Sequence, residues 1–205
     1  MGLISDGTTI FDSGAMASGL GSSMTFIKKL TASDTADLTF VNGASSVVLD
    51  STYKEYIFFF DNIHVSTDDA MLTVGFRDGS TDYDATKTTA VFRAYHFEND
   101  GGAGVGYQTG EDLAQSTSFQ RLGQFQGNGN DASGAGYMHL FNPGSTAYIK
   151  HFISNYTHHY TNAAPGNIHN LVSGYCNVTA AIDAVQFKLS AGNFDQGVIR
   201  MYGIS

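Results

Sequence analysis

The sequence predicts an all-β protein, a jelly-roll-like antiparallel β-sandwich preceded by a short N-terminal arm. Three observations predict it. Roughly ten to twelve short runs alternate apolar and polar residues and are separated by clusters of Gly, Asn, Asp and Ser, the two-residue period of half-buried strands broken by turns. No long stretch carries the 3.6-residue period of an amphipathic helix. The chain closes on "QFKLSAGNFDQGVIRMYGIS", in which Val198, Arg200, Tyr202 and Ile204 point one way and Ile199, Met201 and Gly203 the other. Chain ends usually fray, so alternation up to Ile204 implies a strand held by its neighbours.

Taken in order, residues 1–23 are read as a docking arm rather than as core, because Leu3, Ile4, Ile10, Phe11, Met16 and Leu20 are scattered among glycines and serines. Residues 24–205 are read as a single β-sandwich domain, since no long charged or Pro-rich stretch divides them. Strands are expected in "MTFIKKLT", "DLTFV", "KEYIFFFDNIHV", "AMLTVGFRD", "TAVFRAYHF", "SFQRLGQF", "GYMHLFN", "AYIKHFIS", "AVQFKLS" and "GVIRMYGI". In "AVQFKLS", Val185, Phe187 and Leu189 face in while Gln186 and Lys188 face out. "YIFFF" is apolar on both faces, which predicts a central strand covered on both sides, within the sandwich or by a neighbouring subunit. "GEDLAQSTSFQ" is read as an irregular connection, because Ser and Thr compete with a helical backbone for hydrogen bonds. The Gly-rich stretches 98–112 and 126–136, and the stretch 155–170 with its three histidines, are expected to be loops, and Gly101 to Gly110, Gly127 to Gly136 and the histidine loop to tolerate substitution.

Composition narrows the partners. Ten Lys and Arg stand against 19 Asp and Glu, a formal charge of -9, whereas phosphate backbones demand a basic surface, so no nucleic acid is expected. The longest apolar run is Tyr56 to Phe60, far short of the ~18 residues of a membrane helix, so no membrane insertion is expected. The N-terminus has neither the basic nor the continuous apolar region of a signal peptide, which implies a protein made in the cytoplasm. With one cysteine, Cys176, no intramolecular disulfide can form; on a strand it reads as a small buried hydrophobe.

Few constellations carry chemistry. His158, His159 and His169, read in one loop with His151 on the strand before it, have the spacing H-H-x9-H, which fits no zinc pattern. No metal and no cofactor is expected. "DGSTDYD", Asp78 to Asp84, sets three carboxylates around a glycine but lacks the D-x-D start and the terminal glutamate of a calcium loop, so a hairpin turn is expected. Neither Gly-rich stretch fits G-x-G-x-x-G or a Walker pattern, there is no G-x-S-x-G, and no carboxylate pair stands in a distinctive motif. No catalytic residue is therefore assigned and the chain is read as not an enzyme. Its binding signal is tyrosine, which gives rigid amphipathic contact area: Tyr107, Tyr137, Tyr156 and Tyr160, with His158 and His159, are expected on ligand-facing loops. Val198, Ile199, Met201, Tyr202 and Ile204 are expected to form an oligomer interface, since they put apolar groups on both faces of one strand.

"LISDGTTIFDSG", "STYKEYIFFFDNIHVSTDDAMLTVGFRDGSTDYDATKTT", "DLAQST", "HLFNPGSTAYIKHFIS" and "AVQFKLSAGNFDQGVIRMYGI" together resemble a group of tailed-bacteriophage virion proteins of marine and cyanobacterial phages, over nearly the whole chain. The resemblance implies a structural component of the virion. For an acidic, disulfide-free β domain with Gly- and Asn-rich loops the expected role is capsid decoration or cement, which needs no catalysis, with the major capsid protein or tail components as partners. It carries no active site onto any position. The alternative role is a tail-fibre or receptor-binding protein whose Tyr-rich loops read a host glycan; a glycan-cleaving enzyme is the third reading. The ending Tyr202-Gly203-Ile204 also resembles the last strand of trimeric jelly rolls similar to tumour necrosis factor, which implies a homotrimer with Gly203 allowing close backbone approach near the symmetry axis.

Overall fold

A computed structural model describes residues 23–161 and 164–205 in full and, before them, the backbone of three short strands. These are β1 (Leu3–Ser5), β2 (Thr8–Asp12) and β3 (Ala15–Met16), which pair in order as a small antiparallel sheet. The docking role expected of residues 1–23 otherwise lies outside the described residues. The remaining strands are β4 (Met24–Thr35), β5 (Asp37–Val41), β6 (Glu55–Val65), β7 (Leu72–Arg77), β8 (Lys87–Phe97), β9 (Ala103–Tyr107), β10 (Gln120–Arg121), β11 (Gly134–Phe141), β12 (Lys150–Tyr160), β13 (Gly166–Cys176), β14 (Ala184–Leu189) and β15 (Phe194–Ile204). No helix occurs among the described residues, and "GEDLAQSTSFQ" is an irregular connection.

Two antiparallel sheets pack face to face: eight strands in the order β4-β15-β6-β11-β12-β13-β8-β9, and four in the order β10-β7-β14-β5. The pairing is that of a jelly roll. β4 pairs with β15, β5 with β14, β6 with β11 and β7 with β10, first with last and so on inward, and successive members of this set alternate between the sheets. This is a long antiparallel ribbon rolled over on itself. Two further hairpins, β8–β9 and β12–β13, join the larger sheet beyond β11 and widen it from four strands to eight. The closing strand β15 lies between β4 and β6, hydrogen-bonded along both edges, which is what orders the chain end.

The core fills the space between the sheets. Phe58 and Phe60 of β6 meet Phe40 of β5 and Phe187 of β14 edge to face, with ring centroids 5.3 Å (Phe40–Phe58), 5.4 Å (Phe58–Phe187) and 5.2 Å (Phe60–Phe187) apart. Such contacts set the positive edge of one ring on the negative face of another. All four rings are fully buried, and truncating one to Ala typically costs about 3–5 kcal/mol. The alternation read in β14 holds: Val185, Phe187 and Leu189 are buried while Gln186 and Lys188 are half-buried.

From the β10 edge of the smaller sheet, the stretch 120–126 runs on over the inner face of β12 and β8, and the contacts there are polar. Thr89 Oγ1 donates to Gln120 Oε1 (2.6 Å), Tyr156 OH to Gln126 Oε1 (2.7 Å) and Gln126 Nε2 to the Ile63 carbonyl (2.6 Å). Only Gln120–Arg121 of the expected strand "SFQRLGQF" is in a ladder; past it the backbone turns, with Phe125 at a left-handed φ of 55°, so that the glutamines reach these partners. At the opposite end Lys150, Cys176 and Lys87 are cross-strand neighbours on β12, β13 and β8, all fully buried. Lys150 Nζ donates to the carbonyls of Val178 (3.0 Å) and Ala180 (2.5 Å), and Lys87 Nζ to that of Ala85 (2.6 Å). Burial holds both amines below the ordinary lysine value and pushes the Cys176 thiol up to about 12, so Cys176 is the inert buried residue expected.

Several stretches read as loops are strands. β9 runs through 98–112, β11 begins inside 126–136, and β12 and β13, paired with each other, take up most of the histidine stretch. β13, "GNIHNLVSGYC", has weak strand propensity, yet it pairs along its full length with β12 on one side and β8 on the other, and that tertiary context decides. Asp78 to Asp84 is not a hairpin turn: it carries the chain from β7 in the smaller sheet to β8 in the larger.

Candidate interaction surface

The pleat of the larger sheet sends alternate residues to the core and the rest outward. Outer sheet faces are ordinarily polar. Here the register aligns outward side chains into two adjacent rows that cross the sheet and are largely apolar. One row reads Phe26, Tyr202, Ile57, His139, Ile153, Ser173 and Ala90, from β4 to β8. The next reads Lys29, Arg200, Phe59, Tyr137, Asn155, Leu171, Phe92 and Tyr107, from β4 to β9. Phe26 is 54% exposed, Phe92 46% and Leu171 42%, and Val105 of the neighbouring row reaches 80%. Scattered exposed apolar residues mean little, but a contiguous band marks an interaction surface.

The band has internal order. Phe26 stacks edge-on with Tyr202 (5.5 Å), Tyr202 with Phe59 (5.7 Å), Phe59 with Tyr137 (6.5 Å) and Tyr137 with His139 (5.3 Å), a ladder of rings across β4, β15, β6 and β11. Each ring is braced by the next, so the surface is preset rather than adaptable, and presenting it costs little side-chain entropy. Charged and polar pairs lie within it and at its edges: Arg200 with Asp61 (2.6 Å), His139 with Glu55, His169 Nε2 with Asn155 Oδ1 (2.5 Å), and Tyr107 OH donating to Asp112 (2.5 Å). The Asp112 hydrogen bond raises the Tyr107 phenol above its ordinary value. Aromatic and aliphatic area carrying a few paired polar groups is in keeping with a protein–protein interface.

The residues singled out in the sequence divide between the two faces. Of the expected interface, Val198, Tyr202 and Ile204 are outward and half-buried, whereas Ile199 and Met201 are fully buried in the chain's own core. Gly203 faces inward under the ring of Tyr53, so the close approach there is made within the chain. None of the tyrosines and histidines expected on ligand-facing loops is in a loop. Tyr107 on β9, Tyr137 on β11 and His159 on β12 face outward, with His159 Nε2 3.3 Å from Glu98. Tyr156 and His158 face the core and are buried, and burial raises the Tyr156 phenol strongly. His158 Nε2 accepts the Gln124 backbone N–H (3.2 Å), which leaves the proton of the neutral ring on Nδ1; desolvation lowers its pKa to about 4. Tyr160 lies on the inner side at the open end of the sheet, half-buried.

Sequence reading marked "YIFFF", with Phe59, as apolar on both faces but did not single out Phe26, Phe92, Ile153 and Leu171 as surface. The signal was present: neighbouring positions such as Phe152 and Ile153, or Phe58 and Phe59, put apolar groups on both parities of one strand. Among the described residues no group of three or more His, Cys, Asp or Glu is placed to hold a metal ion, and no helix is long and apolar enough to cross a membrane. Comparison with protein-family models, with curated proteins and with solved structures finds no match to this chain.

Proposed function

We propose that this protein is a structural component of a bacteriophage particle, a capsid decoration or cement protein, whose copies associate as a homotrimer through the outer face of the larger sheet. The observation that carries the reading is the apolar band across that eight-stranded sheet, which nothing in the described part of the chain covers. A band of this kind asks for a partner surface, and a preset aromatic ladder suits a permanent one. Jelly rolls recur in viral capsid proteins, an analogy of fold that supports the reading without carrying it. A formal charge of -9 gives the exposed remainder an acidic, soluble exterior. Gold-labelled antibody against the chain should decorate the capsids of intact particles. Label confined to tail tips moves the protein to the tail, and purified particles without label overturn the proposal.

A further inference from the structure

We infer that the chain carries a small-ligand site, distinct from the outer band, that binds a carboxylate-bearing pyranose such as a uronic or sialic acid unit. The site is a cleft of about 260 Å³ on the inner side of the larger sheet, at the end the smaller sheet does not reach, lined by Arg93, Tyr95, Phe97, Phe125, Tyr160 and Ile168. Sequence and register build it. Arg93, Tyr95 and Phe97 are the inward residues of β8, Ile168 stands beside Tyr95 on β13, and Tyr160 closes the row on β12. On the edge strand and its approach the inward positions are Gly102 and Gly104, and the rings of Phe97 and Tyr95 lie over them at 3.1 Å and 3.0 Å from where a β-carbon would sit. The glycines thus leave room for an aromatic lining. Phe97 stacks on Tyr160 at 6.2 Å and an interplanar angle of 29°, and Tyr95 lies tilted by 43° to Phe97 at 5.2 Å.

The charge in this cleft sets the ligand class. Of the four arginines in the sequence, Arg77 pairs with Asp183, Arg121 with Glu111 and Arg200 with Asp61. Arg93 has no carboxylate partner among the described residues; its guanidinium lies 5.5 Å from the Tyr95 ring centroid and donates one hydrogen bond, Nη1 to Gln124 Oε1 at 3.2 Å. Guanidinium presents a planar fork of donors that matches a carboxylate two bonds at a time. An aromatic lining accepts the apolar C–H face of a sugar ring, and a cleft of this size holds one ring rather than a drug-sized ligand. Together these features fit an acidic pyranose better than a neutral one.

The test uses the intact chain with methyl β-glucuronide, the methyl glycoside of sialic acid and methyl β-glucoside, which matches the glucuronide without its carboxylate, plus benzoate as a carboxylate on an aromatic ring. Binding is followed by ligand-observed NMR and calorimetry. At least one acidic sugar should bind with a Kd on the order of 1 mM, as single sugar units do, and glucoside and benzoate at least about tenfold more weakly. Arg93→Gln should remove the preference for acid with its melting temperature kept, Arg93→Lys should retain part of it, and Tyr160→Ala should weaken every sugar. Failure of both acidic sugars to bind, equal binding of glucoside or benzoate, or acid preference surviving Arg93→Gln overturns the inference. None of these outcomes depends on the outer band, so the assembly reading stands or falls separately.

Discussion

Acidification should destabilise this fold through His158, and the size of the effect follows from its surroundings. The ring is buried on the inner face of β12, with Nε2 committed to the Gln124 N–H, so it is held neutral. Its pKa falls from 6.5 to about 4 on folding, mainly through desolvation. The unfolded chain therefore takes up a proton that the folded chain refuses as pH drops below about 6.5, and stability falls with it until the folded ring also titrates near 4. The stabilisation is fully present above the unfolded pKa and lost below it. The interval from 6.5 to about 4, at 1.36 kcal/mol per pKa unit, amounts to roughly 3 kcal/mol. For a chain of this length that is about 6–12 °C in melting temperature. The assay is urea unfolding of the parent and of His158→Asn at pH values from about 7.5 to 4, because the variant keeps a polar side chain and removes the titration while every carboxylate stays in both proteins. The variant should be less stable at neutral pH, and its loss on acidification should be smaller than the parent's by the amount above. Parallel pH profiles for the two proteins refute the reasoning, and so does a variant as stable as the parent at neutral pH.

Other expectations concern the two faces of β15 and the buried amines. Ile199→Ala should cost about 2–5 kcal/mol in chemical unfolding, whereas Val198→Ala one position earlier should cost under about 1 kcal/mol and act on association instead; equal losses would show that the faces are misassigned. Gly203→Ala should displace the Tyr53 ring and lower stability by about 1–3 kcal/mol, measured by thermal melting, with no change if the ring swings away freely. Lys150→Met should cost about 2–4 kcal/mol in urea, because the carbonyls of Val178 and Ala180 lose their donor inside the core. A neutral effect would mean that water reaches them.

Much of the roll was legible where one face is apolar and the other polar. "AVQFKLS" is half-buried, so its alternation survives in the letters, and β14 is as read. The terminal strand announced itself because Ile199 and Met201 alternate with Arg200 and Tyr202, although the cover expected from a neighbour at Gly203 comes from Tyr53, far away in sequence and invisible in any local pattern. β13 stayed hidden because its core-facing positions include the buried polar Asn170, cross-strand from Tyr156, and Gly174, which leaves room for the Phe152 ring. Local propensity cannot register packing of that kind. Histidines and tyrosines in 155–160 read as loop because both parities are polar or amphipathic, yet Tyr156 and His158 are core residues held by Gln126 and Gln124. The outer band and the Arg93 cleft emerge only after register is known, since each gathers residues from strands that are far apart along the chain.

Sedimentation of the purified protein at micromolar concentration, beside a double variant Tyr202→Glu, Leu171→Glu, tests the assembly reading most directly. Both positions lie on the outer band and outside the core, Tyr202 half-buried and Leu171 42% exposed, so the charges should leave the fold intact by circular dichroism and thermal melting. The account predicts a parent of three times the 21.9 kDa of one chain and a variant that is folded and monomeric. A parent already monomeric, or a double variant that remains a trimer, contradicts it.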